Sequence, residues 1–255
     1  MGDRFILTPY SLVEPLPALQ TFSQPDWHLN LRELPESAQQ VGMSMLHESL
    51  ASKVAEALRS GDRPVSIAGD CCSVIGVAAG MQRAGIDPGL IWFDAHGDFN
   101  TWETTPSGFV GGMPLAMLVG RGEQTMPAAA GLRRLAEEHV ILTDARDLDP
   151  GEKIALERSE VNRLPRVTDL LTFSLPEAPL LVHFDTDVLD PAYAPAMSYP
   201  SSGGPTPDEL SQVFQFLAGT GKVRAVSMST WDPELDVNGG TAEICMRLLR
   251  VLLGM

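Results

Sequence analysis

The chain has 255 residues, 44% of them hydrophobic and 20% charged, enough for one large α/β domain with a sizeable core, spanning residues 1–255. A formal charge of −15 without any Lys/Arg-rich run excludes a basic phosphate-binding surface, so nucleic acid is not an expected partner. No run of about 18 apolar residues could cross a membrane, and the Pro-broken start MGDRFILTPYSLVEPL is a poor signal peptide. A cytoplasmic protein with no membrane partner is therefore expected. The acidity suits cations, either metals or basic substrates, and equally serves solubility. Cys71, Cys72 and Cys245 are too few for a disulfide framework, and reduced thiols are expected.

In chain order, short apolar runs with β-branched residues recur: FILTP (5–9), VSIAG (65–69), LIWFD (90–94), VILTD (140–144), LLVHFD (180–185) and VRAVSMS (223–229). Segments with helical spacing lie at about 36–59, 73–84, 112–120, 127–138, 151–163, 207–218 and 241–253. Such alternation predicts βα units around a parallel sheet. In the last helix Thr241 is a candidate cap, with Ile244, Leu248, Leu249 and Leu252 on one face. The Pro-rich stretch 13–35 is expected to wrap the sheet as loop. Asp70–Cys71, Asp94–Asp98, Asp147–Asp149 and Asp185–Asp190 each fall just past a predicted strand, the edge at which open α/β sheets bind ligands.

In WFDAHGDFN (92–100), Asp94, His96 and Asp98 alternate, and a strand-like backbone sends all three to one side. The same parity holds for His183, Asp185 and Asp187 in HFDTDVLDP (183–191). Ionised carboxylates this close repel unless one is protonated or a cation lies between them. Carboxylate and imidazole donors suit divalent Mn, Co, Zn or Fe, and two such clusters can hold two metals about 3.5 to 4 Å apart.

Three segments, AGDCCS (68–73), DAHGD (94–98) and HFDTDVLDP (183–191), resemble in order the metal-binding motifs of the arginase (ureohydrolase) family. The resemblance implies a three-layer αβα fold with a central, mostly parallel eight-stranded sheet, and a trimer or hexamer. It implies a binuclear site with Mn as the first candidate: Asp94 and Asp185 bridge, Asp98 completes one metal's shell, and His96 and Asp187 complete the other's. Cys71 stands where the family has a histidine ligand, which leaves Co, Zn or Fe open at that site. The segment DFNTWETTPSG (98–108) resembles the loop that grips an amino-acid carboxylate, through Asn100, Thr105 and Ser107. RDLDPGE (146–152) resembles the stretch whose Asp149 meets the α-ammonium, with Asp147 and Glu152 in support.

The chain departs from the family at three positions. Cys71 adds a negative charge when its thiol is ionised, which weakens the metals as Lewis acids. Gly111 replaces a histidine credited with proton shuttling, leaving Asp98 as candidate proton carrier and His183 as a candidate to orient Asp185. Thr230 falls where a glutamate pairs with the guanidinium, so a less basic group is favoured. The expectation is a hydrolase of guanidino amino acids, of N-hydroxy-L-arginine or L-arginine, akin to a hydroxyarginine-hydrolysing branch of the family. The alternatives are an agmatine or formimidoyl-amino-acid hydrolase, and a metal-poor relative with a regulatory role.

Overall fold

The computed structural model describes residues 2–36, 39–229 and 231–255. β1 (Asp3–Thr8) leads into a small hairpin, β2 (Tyr10–Ser11) and β3 (Glu14–Pro15), one turn of helix α1 (Pro17–Gln20) and β4 (His28–Leu29). Then follow α2 (Gln39–Arg59), β5 (Arg63–Ala68), α3 (Val74–Arg83), β6 (Gly89–His96), α4 (Pro114–Leu118), α5 (Thr125–Ala130) and β7 (Val140–Asp147). The chain ends with α6 (Pro150–Glu157), β8 (Asn162–Leu164), β9 (Leu180–Asp185), α7 (Pro207–Gly219), β10 (Val223–Ser229) and α8 (Gly240–Leu253).

Eight strands form one sheet in the order β4-β1-β5-β10-β9-β6-β7-β8, each neighbouring pair parallel. After β5 the chain passes over two strand positions to lay down β6, and β9 and β10 later fill that gap. The reversal opens a crevice at the carboxyl ends of the central strands, where the acidic motifs emerge.

The strands are apolar on both faces because helices cover both. On β6, Leu90 and Trp92 enter the core against α2 and α3, while Ile91 and Phe93 enter the core against α7 and α8. Phe93 and Phe184 each meet Phe214 of α7 edge-on, with centroids 5.1 Å apart. Each such fully buried side chain contributes about 1.5–3 kcal/mol of apolar transfer, which sets the register of the central strands. No described helix is long and apolar enough to cross a membrane.

Three sequence expectations are corrected. The helix expected over 127–138 stops at Ala130, because Gly131 turns left-handed (φ 70°) and ends it. The helix expected over 151–163 ends at Glu157, and residues 162–164 become edge strand β8, paired to β7 through Ile141↔Asn162. Thr241 does not cap α8: its hydroxyl accepts the Ala196 N–H. Gly239 is the cap residue, and the Asp236 carboxylate takes the N–H groups of Thr241 and Ala242 at 3.1 and 2.7 Å. The stretch 13–35 is mostly loop, but it also supplies β4.

Candidate metal centre and substrate cavity

Residues from four strand ends meet in one cavity of about 600 Å³. β5 delivers Asp70 and Cys71, β6 delivers Asp94, His96 and Asp98, β9 delivers Asp185 and Asp187, and β7 with the start of α6 delivers Asp147, Asp149 and Glu152. The expected strand alternation carries Asp94 and His96 on β6 and His183 and Asp185 on β9. Asp98 lies past the strand in a left-handed conformation (φ 49°), and its carbonyl accepts the N–H groups of Leu115 and Ala116. Asp187 likewise leaves the strand: it lies on a 3-10 turn, Thr186–Val188, and its N–H caps the Asp185 carboxylate at 3.0 Å.

Asp94, Asp98, Asp185 and Asp187 are all buried, and no Lys or Arg is among the described residues lining the cavity. Several donors reach their oxygens. Trp92 Nε1 reaches Asp94 at 3.0 Å, Ser229 Oγ reaches Asp185 at 3.0 Å, and the Ala95 N–H reaches Asp187 at 3.2 Å. Burial and the charge of neighbouring aspartates push Asp94 and Asp98 above the usual carboxylate range, and burial with the Asp94 charge takes Asp187 to about 6. Although burial opposes it, His96 is pushed up to about 12, because its Nδ1 lies 3.1 Å from Asp187 and 3.3 Å from Asp94. The imidazolium proton thus sits where the carboxylates call for positive charge.

This donor set fits divalent cations. Asp94, His96 and Asp187 bring ligand atoms within 4.8 Å of one another, and so do Asp94, His183 and Asp185. Asp98 Oδ2 is buried with no hydrogen-bond partner, the condition of an oxygen that a cation would satisfy. Cys71 lines the same cavity outside both clusters, its Sγ donating to the Gly111 carbonyl at 3.2 Å. A hydrogen bond with Cys72, burial and the Asp98 charge keep this thiol protonated.

His183 lies beneath the cavity, fully buried, its ring 4.0 Å from that of Trp92. Nδ1 is 3.2 Å from Ser227 Oγ, and Nε2 is 3.5 Å from Ser229 Oγ, the hydroxyl that donates to Asp185. Burial pushes its pKa down to about 3, so the ring is neutral.

On the rim, Asn100, Thr105, Ser107 and Asp149 all line the cavity. Asn100 donates to Asp149 at 2.9 Å and accepts from Thr104 at 2.9 Å, while Thr105 and Ser107 accept the N–H groups of Gly108 and Phe109. Glu152 ties rim to floor by accepting from Phe99 N–H at 2.7 Å and, as partner in the α6 capping box, from Asp149 N–H at 3.2 Å. Thr230, expected to face the substrate tail, lies outside the described residues.

Sequence reasoning passed over Ser229, Phe109, Tyr199 and, above all, Arg146. The Arg146 guanidinium donates to the carbonyls of Asp187, Val188, Ser201 and Ser202 and pairs with Asp144 at 3.1 Å. It binds the turn that carries Asp187 to the loop that follows Tyr199. Asp144 and Ala145 beside it are left-handed (φ 72° and 45°), a strained pair that these contacts hold in place. Gly204 leaves room for the guanidinium, since a Cβ there would stand 2.8 Å from Arg146 Cζ.

Strand ends that gather four carboxylates and an imidazole around one cavity make a centre suited to divalent cations on an α/β sheet. The model of the Arginase family matches residues 9–254. The arginase of Bacillus caldovelox is 35% identical over 221 residues, covering 82% of this chain and 74% of that protein, and the arginase of Bacillus subtilis is 31% identical over 220 residues with the same coverage. The crystal structure of arginase from Bacillus subtilis superposes with a TM-score of 0.85 at 26% identity, covering 100% of this chain and 99% of that one. The chain belongs to the arginase family and is an enzyme of the metal-dependent amidinohydrolase class.

Proposed function

We propose that the protein hydrolyses a guanidino-type C–N bond of an L-α-amino acid, with N-hydroxy-L-arginine, giving hydroxyurea and L-ornithine, favoured over L-arginine, giving urea and L-ornithine. The observation that carries this reading is the opening of one cavity onto both the carboxylate floor and the rim formed by Asn100, Thr105, Ser107 and Asp149. A substrate with an amino-acid head and a guanidino-type tail spans the two.

In this reading Asp94, Asp185, His96, Asp187, Asp98 and Cys71 would hold two divalent cations, Mn first among the candidates. When bound, the cations supply an activated water and stabilise negative charge on the reacting group. Asp98, buried beside Asp94 and Asp185, would be the carboxylate placed to take up a proton in the reaction and return it to the leaving amine. His183, acting through Ser229, orients Asp185. Asp149 takes the α-ammonium, and Asn100, Thr105 and Ser107 take the α-carboxylate. In sequence Thr230 replaces the glutamate that the family resemblance pairs with a guanidinium, which supports the less basic hydroxyguanidine. In solution the chain is read as a homo-oligomer, a trimer or hexamer, which sedimentation would measure.

The test is a product assay on Mn-loaded protein with N-hydroxy-L-arginine, L-arginine and agmatine. Ornithine from the hydroxylated substrate at the highest kcat/KM is expected. Turnover of agmatine alone, or of none, sinks the reading.

A further inference from the structure

Between rim and floor stands an apolar wall to which the polar residues of the cavity give no role. Phe109 and Tyr199 line the cavity with ring centroids 5.3 Å apart and a tilt of 41°, both partly exposed at its mouth. Large aromatic rings left half in water at a cavity mouth are surfaces awaiting an apolar partner.

The Phe109 ring fills the space that a side chain at residue 111 would occupy: a Cβ on Gly111 would overlap its Cε1 and Cζ. The same glycine's carbonyl receives the Cys71 thiol, so one residue links the ring to the backbone beside Cys71. At its other end, the Phe109 N–H is held by Ser107 Oγ at 3.2 Å. The Phe109 ring thus lines the cavity that holds both the rim residues and the carboxylates, and its backbone is fixed to the rim loop through Ser107.

We propose that Phe109, backed by Tyr199, is a specificity-determining wall that packs on the aliphatic stem of the substrate and selects its length. The proposal rests on the function proposed above. A stem of the right length buries its methylenes against the rings while its head reaches Asp149; an added methylene displaces the head or the tail. One methylene in such a pocket is worth about 10- to 200-fold in selectivity.

The experiment compares wild type, Phe109→Ala, Phe109→Leu and Tyr199→Ala, all Mn-loaded and matched for metal content and thermal midpoint. Turnover of N-hydroxy-L-arginine, L-arginine and the one-methylene-longer L-homoarginine is measured, and binding of L-ornithine and L-lysine is followed by calorimetry. For Phe109→Ala, KM for the preferred substrate rises about tenfold with kcat little changed, and discrimination against the longer stem falls about tenfold in both turnover and binding. Phe109→Leu keeps most of it, and Tyr199→Ala loses less than Phe109→Ala.

Unchanged KM and unchanged selectivity in Phe109→Ala overturn the wall, as does a loss confined to kcat. Wild type that hydrolyses no guanidino acid but binds L-ornithine more tightly than Phe109→Ala sinks the proposed function and keeps the wall. Absence of both turnover and ornithine binding sinks both.

Discussion

Replacing Arg146 by leucine removes a half-buried cation and leaves its partner Asp144 behind. Asp144 has a side chain only 8% exposed, and burial already raises its pKa while Arg146 opposes the rise. Breaking one side of a fully buried pair costs about 3–5 kcal/mol, and this partly solvated one costs less. Protonation sets a ceiling. From an ordinary value of about 3.9, neutralising the carboxyl at pH 7 costs about 4 kcal/mol, and at pH 5 only about 1.5 kcal/mol. In the variant, Asp144 has its folded pKa raised above the unfolded value, so stability is retained below the unfolded pKa and lost as pH rises through the folded one. Urea unfolding of wild type and Arg146→Leu at pH 5 and pH 8 should therefore show a penalty that grows with pH, and adding Asp144→Asn should recover most of it at pH 8. An equal penalty at both pH values, or no recovery in the double variant, refutes the reasoning. Because Arg146 also holds the Asp187 and Val188 carbonyls, Arg146→Leu should bind Mn more weakly than Arg146→Lys at matched stability.

His47, buried on α2 with Nδ1 unpartnered, is pushed down to about 4 by burial. Its folded pKa is depressed, so the unfolded chain takes the proton first and stability falls as pH drops from about 6.5 towards 4; the loss at pH 5 is about 2 kcal/mol. His47→Leu should remove that part of the acid sensitivity in urea titrations, and an unchanged pH slope would count against it. Cys71→His should raise Mn occupancy and flatten its increase with pH, because metal binding at the thiol must displace a proton; metal analysis across pH 6–9 decides, and an unchanged profile sinks it. Asp149→Ala should lower kcat/KM for amino-acid substrates by about 100-fold, the loss of a charge-assisted contact of about 3 kcal/mol, while any activity on agmatine is spared.

The strands were readable wherever both faces are apolar, as in LIWFD and LLVHFD, because burial on two sides leaves a continuous hydrophobic run. Edge strands β4 and β8 lack that run and are recruited by backbone pairing, which leaves no local pattern. The floor of the site was readable as residue types, yet the reason for its convergence was only half right. Alternation accounts for Asp94 and His96 on β6 and for His183 and Asp185 on β9, whereas Asp98 and Asp187 arrive through turns whose backbone angles no side-chain periodicity encodes. Arg146 was visible within RDLDPGE, but its partners lie some 41 to 56 residues away on other loops, and they are carbonyls, which carry no residue identity. Phe109 reads as an ordinary loop aromatic until the space beside Gly111 is seen to be filled by its ring.

The four carboxylates at the strand ends have a consequence for folding itself. They sit at the ends of β6 and β9, strands far apart in sequence that become neighbours only when the sheet pairs them, so the unfolded chain holds no comparable cluster. Any cation that prefers the assembled cluster stabilises the native state by mass action, about 2.7 kcal/mol at a free concentration of 100 times Kd. Without cations, the same carboxylates press against one another inside the sheet's open edge. Chelation should therefore lower the unfolding temperature, and the dose of metal that restores it would report the affinity of the site with no substrate present.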